Sequence, residues 1–297
     1  MKNNIYKLGL ALMLICSCKQ AQITQHGVKT VEVQGHRGDR GNFPENTIPA
    51  FLSAIDKGAD VIELDVVISK DKKVVVSHEP FMSSAYVIAP DGMAIPKAAE
   101  KSFNLYEMRY DSIRKFDTGS NGNKSFPQQR KMKSYKPLLS EVFDSVETYI
   151  AVHKLKQVRY NVEIKSDMLE YGITQPQPKE FVDLVMKEIL AENLSGRINI
   201  QSFDTEMLNV VHKSYPHIKL AFLTDEPGIN KNLAKLDFIP EIYSPYYKLV
   251  NEAFIDTVRN KKMRIIPWTV NDQADIDRIL SLKVDGIITD YPERVIK

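Results

Sequence analysis

The stretch DVIELDVVISKDKKVVVSH, residues 60–78, decides the fold. It holds two β-branched runs, DVIELDVVI (60–68) and KVVVSH (73–78), and each reads as a strand. Only Ser69, Lys70, Asp71 and Lys72 separate them. A parallel crossover needs about a dozen residues, so the second run must return as an antiparallel hairpin arm. Seven further runs read as strands: VEVQG (31–35), YNVEIK (160–165), INIQSF (198–203), KLAFLT (219–224), PEIYSP (240–245), RIIPWTV (264–270) and DGIITD (285–290). Helical patterns lie between most of them, for example TIPAFLSAIDKG (47–58), PKEFVDLVMKEILAENL (178–194) and DQADIDRILSLK (272–283). Such alternation predicts a parallel sheet of βαβ units. Setting the hairpin arm aside leaves eight parallel strands, the count of a TIM (β/α)8 barrel. An open doubly wound sheet is the rival, but no GxGxxG follows the first strand. The expected fold class is therefore α/β, a TIM barrel with an insertion, residues 79–136, after the strand that ends at His78. The insertion carries Pro80, Pro90, Pro96, Pro127, GSNGN (119–123) and the basic run RKMKSYK (130–136). That run reads as a solvated face.

Strand alternation also places charges. Residues i and i+2 share a face, so Glu63 and Asp65 point the same way, with Ile62 and Leu64 opposite. In NVEIK, Asn161, Glu163 and Lys165 share a face. Three carboxylates and a lysine at inward-facing strand ends are costly unless they pair or bind metal. Oxygen-only ligands suit Mg2+ or Ca2+. A buried ion-pair network through Lys165 explains the spacing equally well. His36 and His78 each end a strand near these acids, and two imidazoles beside a cation suit acid–base chemistry at phosphorus.

GHRG, PENT, ELDV, VVSHE, NVEIK, QSF, PWTVN and DGIITDYP follow one another in that order. Together they resemble the glycerophosphodiester phosphodiesterase family, over about residues 32–294. The resemblance implies a TIM barrel that hydrolyses glycerophosphodiesters to sn-glycerol 3-phosphate and an alcohol with a divalent metal. It implies Glu63, Asp65 and Glu163 as metal ligands and His36 and His78 as the acid–base pair. Arg37 would clamp a phosphate oxygen, for which its planar fork is shaped. Lys165 would add positive charge at the developing phosphorane. Glu45 would orient His36 or Arg37 or join the metal's shell, unless it only compensates a helix N-terminus. Gln201 is a candidate to bond a substrate oxygen, and Trp268 to wall the glycerol pocket or stack on the alcohol group. Core packing is the alternative for both. Asp290 reads as a turn or cap residue. Gly35 and Gly38 let the backbone turn beside His36 without a Cβ clash.

The N-terminus reads differently from the body. MKNNIYKLGLALMLICSCK (1–19) sets Lys2 and Lys7 ahead of an apolar run over residues 8–15. That run is too short to span a bilayer and suits a signal-peptide core. Ile15-Cys16-Ser17-Cys18 resembles a bacterial lipobox with Cys18 lipidated; an ordinary cleaved signal is the alternative. The expected organisation is a lipoprotein-type signal over 1–17, a polar tether over 18–30 and the barrel over 31–297. The protein would then be exported to a bacterial cell envelope and anchored by lipid, on the periplasmic face or the outer membrane. Cys16 and Cys18 are the chain's two cysteines, so the barrel stands without disulfides. Removing the two lysines of residues 1–17 from 40 basic residues leaves 38 against 38 acidic ones. That balance is no footprint for nucleic acid. The partner expected instead is a small glycerophosphodiester. Two other functions compete: a phospholipase D-like or phosphatidylinositol-cleaving enzyme on the same barrel, and a lipid-anchored binding protein without catalysis.

Overall fold

The hairpin forms as its short link requires. In the computed structural model, which describes residues 31–296, β2 (Val61–Ile68) pairs antiparallel with β3 (Val74–Val76), Val66 facing Val76 and Ile68 facing Val74. Lys72 takes a φ of +60° in the turn, and the Ser69 amide donates to the Lys73 carbonyl at 3.0 Å. The signal-like segment, the tether and Cys18 lie outside the described residues.

The chain begins with β1 (Glu32–Gly35), α1 (Ile48–Asp56) and the β2–β3 hairpin. A long connection containing the one-turn helix α2 (Tyr110–Ile113) leads to α3 (Leu139–His153). Strands and helices then alternate: β4 (Arg159–Ile164), α4 (Pro178–Ala191), β5 (Ile198–Ser202), α5 (Thr205–Ser214), β6 (Lys219–Thr224), α6 (Ile229–Leu233), β7 (Ile242–Pro245), α7 (Glu252–Asn260), β8 (Arg264–Ile265), α8 (Gln273–Ser281) and β9 (Gly286–Thr289). Eight strands run parallel in the order β8-β7-β6-β5-β4-β2-β1-β9, with β3 outside that path. The sheet is nearly closed. Backbone amides of Asp285, Ile288 and Val270 bridge β8 and β9 at 3.0 Å each, donating to Ile265, Pro267 and Ile288. The strand expected over 264–270 shrinks to two residues because Pro267 has no N–H to add to the ladder.

The apolar face of β2 packs outward. Ile62, Leu64, Val66 and Ile68 join Phe51 of α1, Leu139 and Phe143 of α3 and Phe181 of α4 in one buried cluster. Each such side chain stabilises the fold by roughly 1.5–3 kcal/mol. The barrel interior is divided. Ala221, Ile242, Ile266 and Ile288 fill one side. On the other, Asn161 Nδ2 donates to Gln34 at 2.8 Å and to Gln201 at 2.9 Å, and Gln34 donates to Glu32 at 2.6 Å. These polar groups tolerate burial because they satisfy one another.

The connection over 79–136 carries its own small core. Met82, Val87, Leu105, Ile113 and Phe116 pack on Val67 and Val75. Lys136, read as part of a solvated run, is instead buried, and its Nζ donates to Ser77 Oγ at 2.8 Å. The segment folds back over the hairpin and carries this lysine under it.

Gly38 sits at φ +84°, and a Cβ there would lie 2.6 Å from the Ala50 carbonyl carbon on α1. Gly38→Ala is expected to lower stability by about 3 kcal/mol, combining backbone strain with a clash against helix backbone. A urea midpoint lowered at unchanged slope would show it; an unshifted midpoint would refute the packing argument.

Candidate active site

After β1 the backbone makes a strained turn. Arg37 adopts φ +51° and Asn46 φ +56°. Positive φ is uncommon for arginine and marks a conformation held by its surroundings. What holds it is a hydrogen bond: the Arg37 amide donates to Glu63 Oε2 at 2.8 Å. The guanidinium Nη1 donates to Glu45 Oε1 at 2.7 Å, and Nε lies 3.3 Å from Asp65 Oδ2. Arg40 Nε takes the other Glu45 oxygen at 2.7 Å. Glu45 therefore stands behind the two arginines and orients them.

The parallel register of β2 and β4 sets Asp65 opposite Glu163. Oxygens of Glu63, Asp65 and Glu163 lie within 4.8 Å of one another, and all three residues are buried. Lys165 Nζ donates to Glu163 Oε1 at 2.7 Å, Gln201 Nε2 to Glu63 Oε1 at 2.8 Å, and Asn46 Nδ2 to Asp65 Oδ2 at 2.8 Å. Asp65 Oδ1 is buried without a hydrogen-bond partner. Burial pushes the Glu63 carboxyl well above its usual range, and the charges of Asp65 and Glu163 push it further. Burial also disfavours the Asp65 anion, but Arg37, His78 and Lys165 outweigh it and hold the carboxyl far below its usual range. Lys165 stays charged because Glu163 and Asp65 outweigh its burial.

This arrangement separates the two explanations left open by spacing. The ion pairs that do form, Lys165 to Glu163 and Arg37 to Asp65 Oδ2, do not reach Asp65 Oδ1. Instead a buried anionic oxygen is orphaned, which costs about 1–3 kcal/mol or more for a charged group. A hard divalent cation would satisfy it, and the donor set is all oxygen. The residues fit such a metal.

His36 Nδ1 lies 2.7 Å from Asp290 Oδ1, and His78 Nδ1 lies 3.1 Å from Glu79 Oε1. A carboxylate at Nδ1 keeps the proton there and leaves Nε2 as the working nitrogen. Burial lowers the His36 imidazole pKa, and Asp290 only partly offsets that. Burial would raise the Asp290 carboxyl, but His36 and Arg40 outweigh it and bring it to about 2. Tyr86 OH donates to the second Glu79 oxygen at 2.9 Å.

A cavity of about 280 Å³ gathers His36, Arg37, Glu63, His78, Glu163 and Lys165. Phe203, Leu223 and Trp268 form its apolar wall, and Trp268 meets Phe203 edge-on at 5.5 Å. Trp268 Nε1 is anchored on the Ser244 carbonyl at 3.1 Å. Gln201 lines the cavity, but its amide is committed to Glu63 and Asn161 rather than free for a substrate. Glu45 and Asp65 stand behind the lining. Asp290, read as a turn or cap residue, is the partner of His36. Glu79, Asn46 and Arg40 were also missed. Glu79 had a signal in its adjacency to His78, and Asn46 and Asp290 lie within the motifs PENT and DGIITDYP; Arg40 had none.

Fold and pocket together define a class: a barrel hydrolase that holds an anionic ester against a hard cation. The chain belongs to the glycerophosphoryl diester phosphodiesterase family, whose sequence profile matches residues 36–294. A glycerophosphodiester phosphodiesterase from Caldanaerobacter subterraneus is 32% identical over 270 residues, 91% of this chain and 97% of that protein. A crystal structure from Silicibacter pomeroyi DSS-3 superposes with a TM-score of 0.81 at 27% identity, covering 90% of this chain and 92% of that one. An Oleispira antarctica phosphodiesterase, solved with its product sn-glycerol-3-phosphate, gives a TM-score of 0.69 at 18% identity over 89% of this chain and 94% of its own; that likeness is one of fold.

Proposed function

We propose that this chain hydrolyses glycerophosphodiesters to sn-glycerol 3-phosphate and an alcohol, using Glu63, Asp65 and Glu163 to hold Mg2+ or Ca2+. One observation carries the reading: an orphaned carboxylate oxygen in a buried trio whose neighbours share a cavity with two carboxylate-backed histidines. When bound, the cation neutralises phosphate oxygens as a Lewis acid. The protein's own groups do the rest. Arg37, oriented by Glu45, binds a phosphate oxygen, and Lys165 adds charge beside it. His36 is kept neutral by its burial and takes the proton of the attacking hydroxyl or water at Nε2. His78, held by Glu79, gives a proton from its own ring to the leaving alkoxide, and proton exchange with solvent resets the two histidines. Trp268 and Phe203 cover the glycerol and keep water off that wall. Release of glycerol 3-phosphate from glycerophosphocholine, present with Mg2+ or Ca2+ and absent with chelator, tests the reading. Equal release with chelator would sink the metal's role.

Among the described residues no helix is long and apolar enough to cross a membrane. Membrane attachment in our reading comes from lipid on Cys18 after export. Cys18→Ser is expected to move the protein from the membrane to the soluble fraction. Continued sedimentation with membranes would count against that anchor.

A further inference from the structure

We propose that the groove opening from the catalytic pocket past His78 and Lys165 is the subsite for the leaving alcohol, and that it selects alcohols bearing an ammonium group. The inference rests on the hydrolase reading above and deepens it. A phosphodiester has two arms. With the phosphate between the carboxylate trio, Arg37 and Lys165, one arm meets the apolar wall of Phe203, Leu223 and Trp268. The other needs an exit, and a second cavity of about 590 Å³ begins at the same His78 and Lys165. His78 stands at the junction, beside the oxygen that must be protonated as the alcohol leaves.

The lining of this groove names the alcohol's chemistry. Pro80, Phe81 and Ile173 give it an apolar surface, while Glu107, Asp167 and Glu170 stand along it. Asp167 accepts from the Leu169 amide at 2.9 Å and Glu170 from the Thr174 hydroxyl at 3.2 Å, both uncharged donors. Glu79 is taken up by His78 and Tyr86, and Lys165 by Glu163. Of the three lining bases, His78 and Lys165 are engaged by Glu79 and Glu163, so three carboxylates without a cationic partner among the described residues stand against Lys101. A neutral polyol gains nothing from that field. A primary or quaternary ammonium gains both the charge attraction and contact of its carbons with Phe81 and Ile173.

The test compares kcat/KM of the full chain for four diesters: glycerophosphocholine and glycerophosphoethanolamine against glycerophosphoglycerol and glycerophosphoinositol. The native protein is expected to prefer the first pair by tenfold or more. The double variant E107Q/E170Q is expected to lose about tenfold on that pair and to keep its rate on glycerophosphoglycerol, which also shows that it folds. Equal kcat/KM across all four diesters, or an equal loss on all four in the variant, would overturn the subsite. No product from any of the four would instead overturn the hydrolase reading and this inference with it.

Discussion

Asp65→Asn is expected to lower kcat by about three orders of magnitude or more while the barrel stays folded. The substitution is chosen for its geometry. The Asn46 amide donates to Asp65 Oδ2 at 2.8 Å, and an asparagine oxygen can keep that bond. The amide nitrogen then takes the place of Oδ1, the oxygen without a partner. Shape and packing are preserved, while an oxygen that would hold the cation is replaced by a pair of hydrogens. Glu63→Gln would be a poorer probe, because both Glu63 oxygens accept hydrogen bonds, from Arg37 and from Gln201. Circular dichroism checks the fold, titration calorimetry with Mg2+ and Ca2+ checks the ion, and glycerol 3-phosphate release checks turnover. Native-like metal affinity in Asp65→Asn would remove this carboxylate from the metal site.

The second large effect is expected at His36. His36→Ala should cost roughly 10²–10⁴-fold in kcat, the usual span for a general base. Its pH dependence carries a sign. Burial lowers the folded pKa below 6.5, so the imidazole stays neutral as pH falls past 6.5 and activity declines only at lower pH. Asp290 raises that pKa and orients the ring at 2.7 Å. Asp290→Asn should therefore lower kcat and move the acid limb to still lower pH. A lower kcat with an unmoved limb would mean that Asp290 acts only as scaffold. An acid limb above pH 6.5 in the native protein would argue against a neutral, buried His36 as the base.

Residues legible in the sequence share one property: their placement follows from a few neighbours along the chain. Glu63 and Asp65 share a face because side chains alternate on any strand. KVVVSH turns back because four residues cannot cross over a sheet. Pro267 is legible in the same way, since a missing N–H is local, and it ends β8 at Ile265, short of the 264–270 run. Roles that depend on register were harder. Gln201 shares a strand face with Phe203, but only the β4–β5 register sets it beside Glu163 and within reach of Glu63.

By itself, then, the sequence determined the strand count, the hairpin, the inward acids and the two strand-end histidines. Backbone stereochemistry imposes those at short range, whatever the rest of the chain does. The tertiary structure alone decided what stands behind each of these groups. Asp290 meets His36 across 254 residues because closure brings β9 beside β1, Thr289 against Gly35. Lys136 is buried because a segment of its own core folds over the hairpin. Asp65 Oδ1 lacks a partner because Asn46 Nδ2 and Arg37 Nε both approach Oδ2 instead, while Lys165 goes to Glu163. Such contacts arise from the closing of a sheet, and no window of the sequence contains both of their ends.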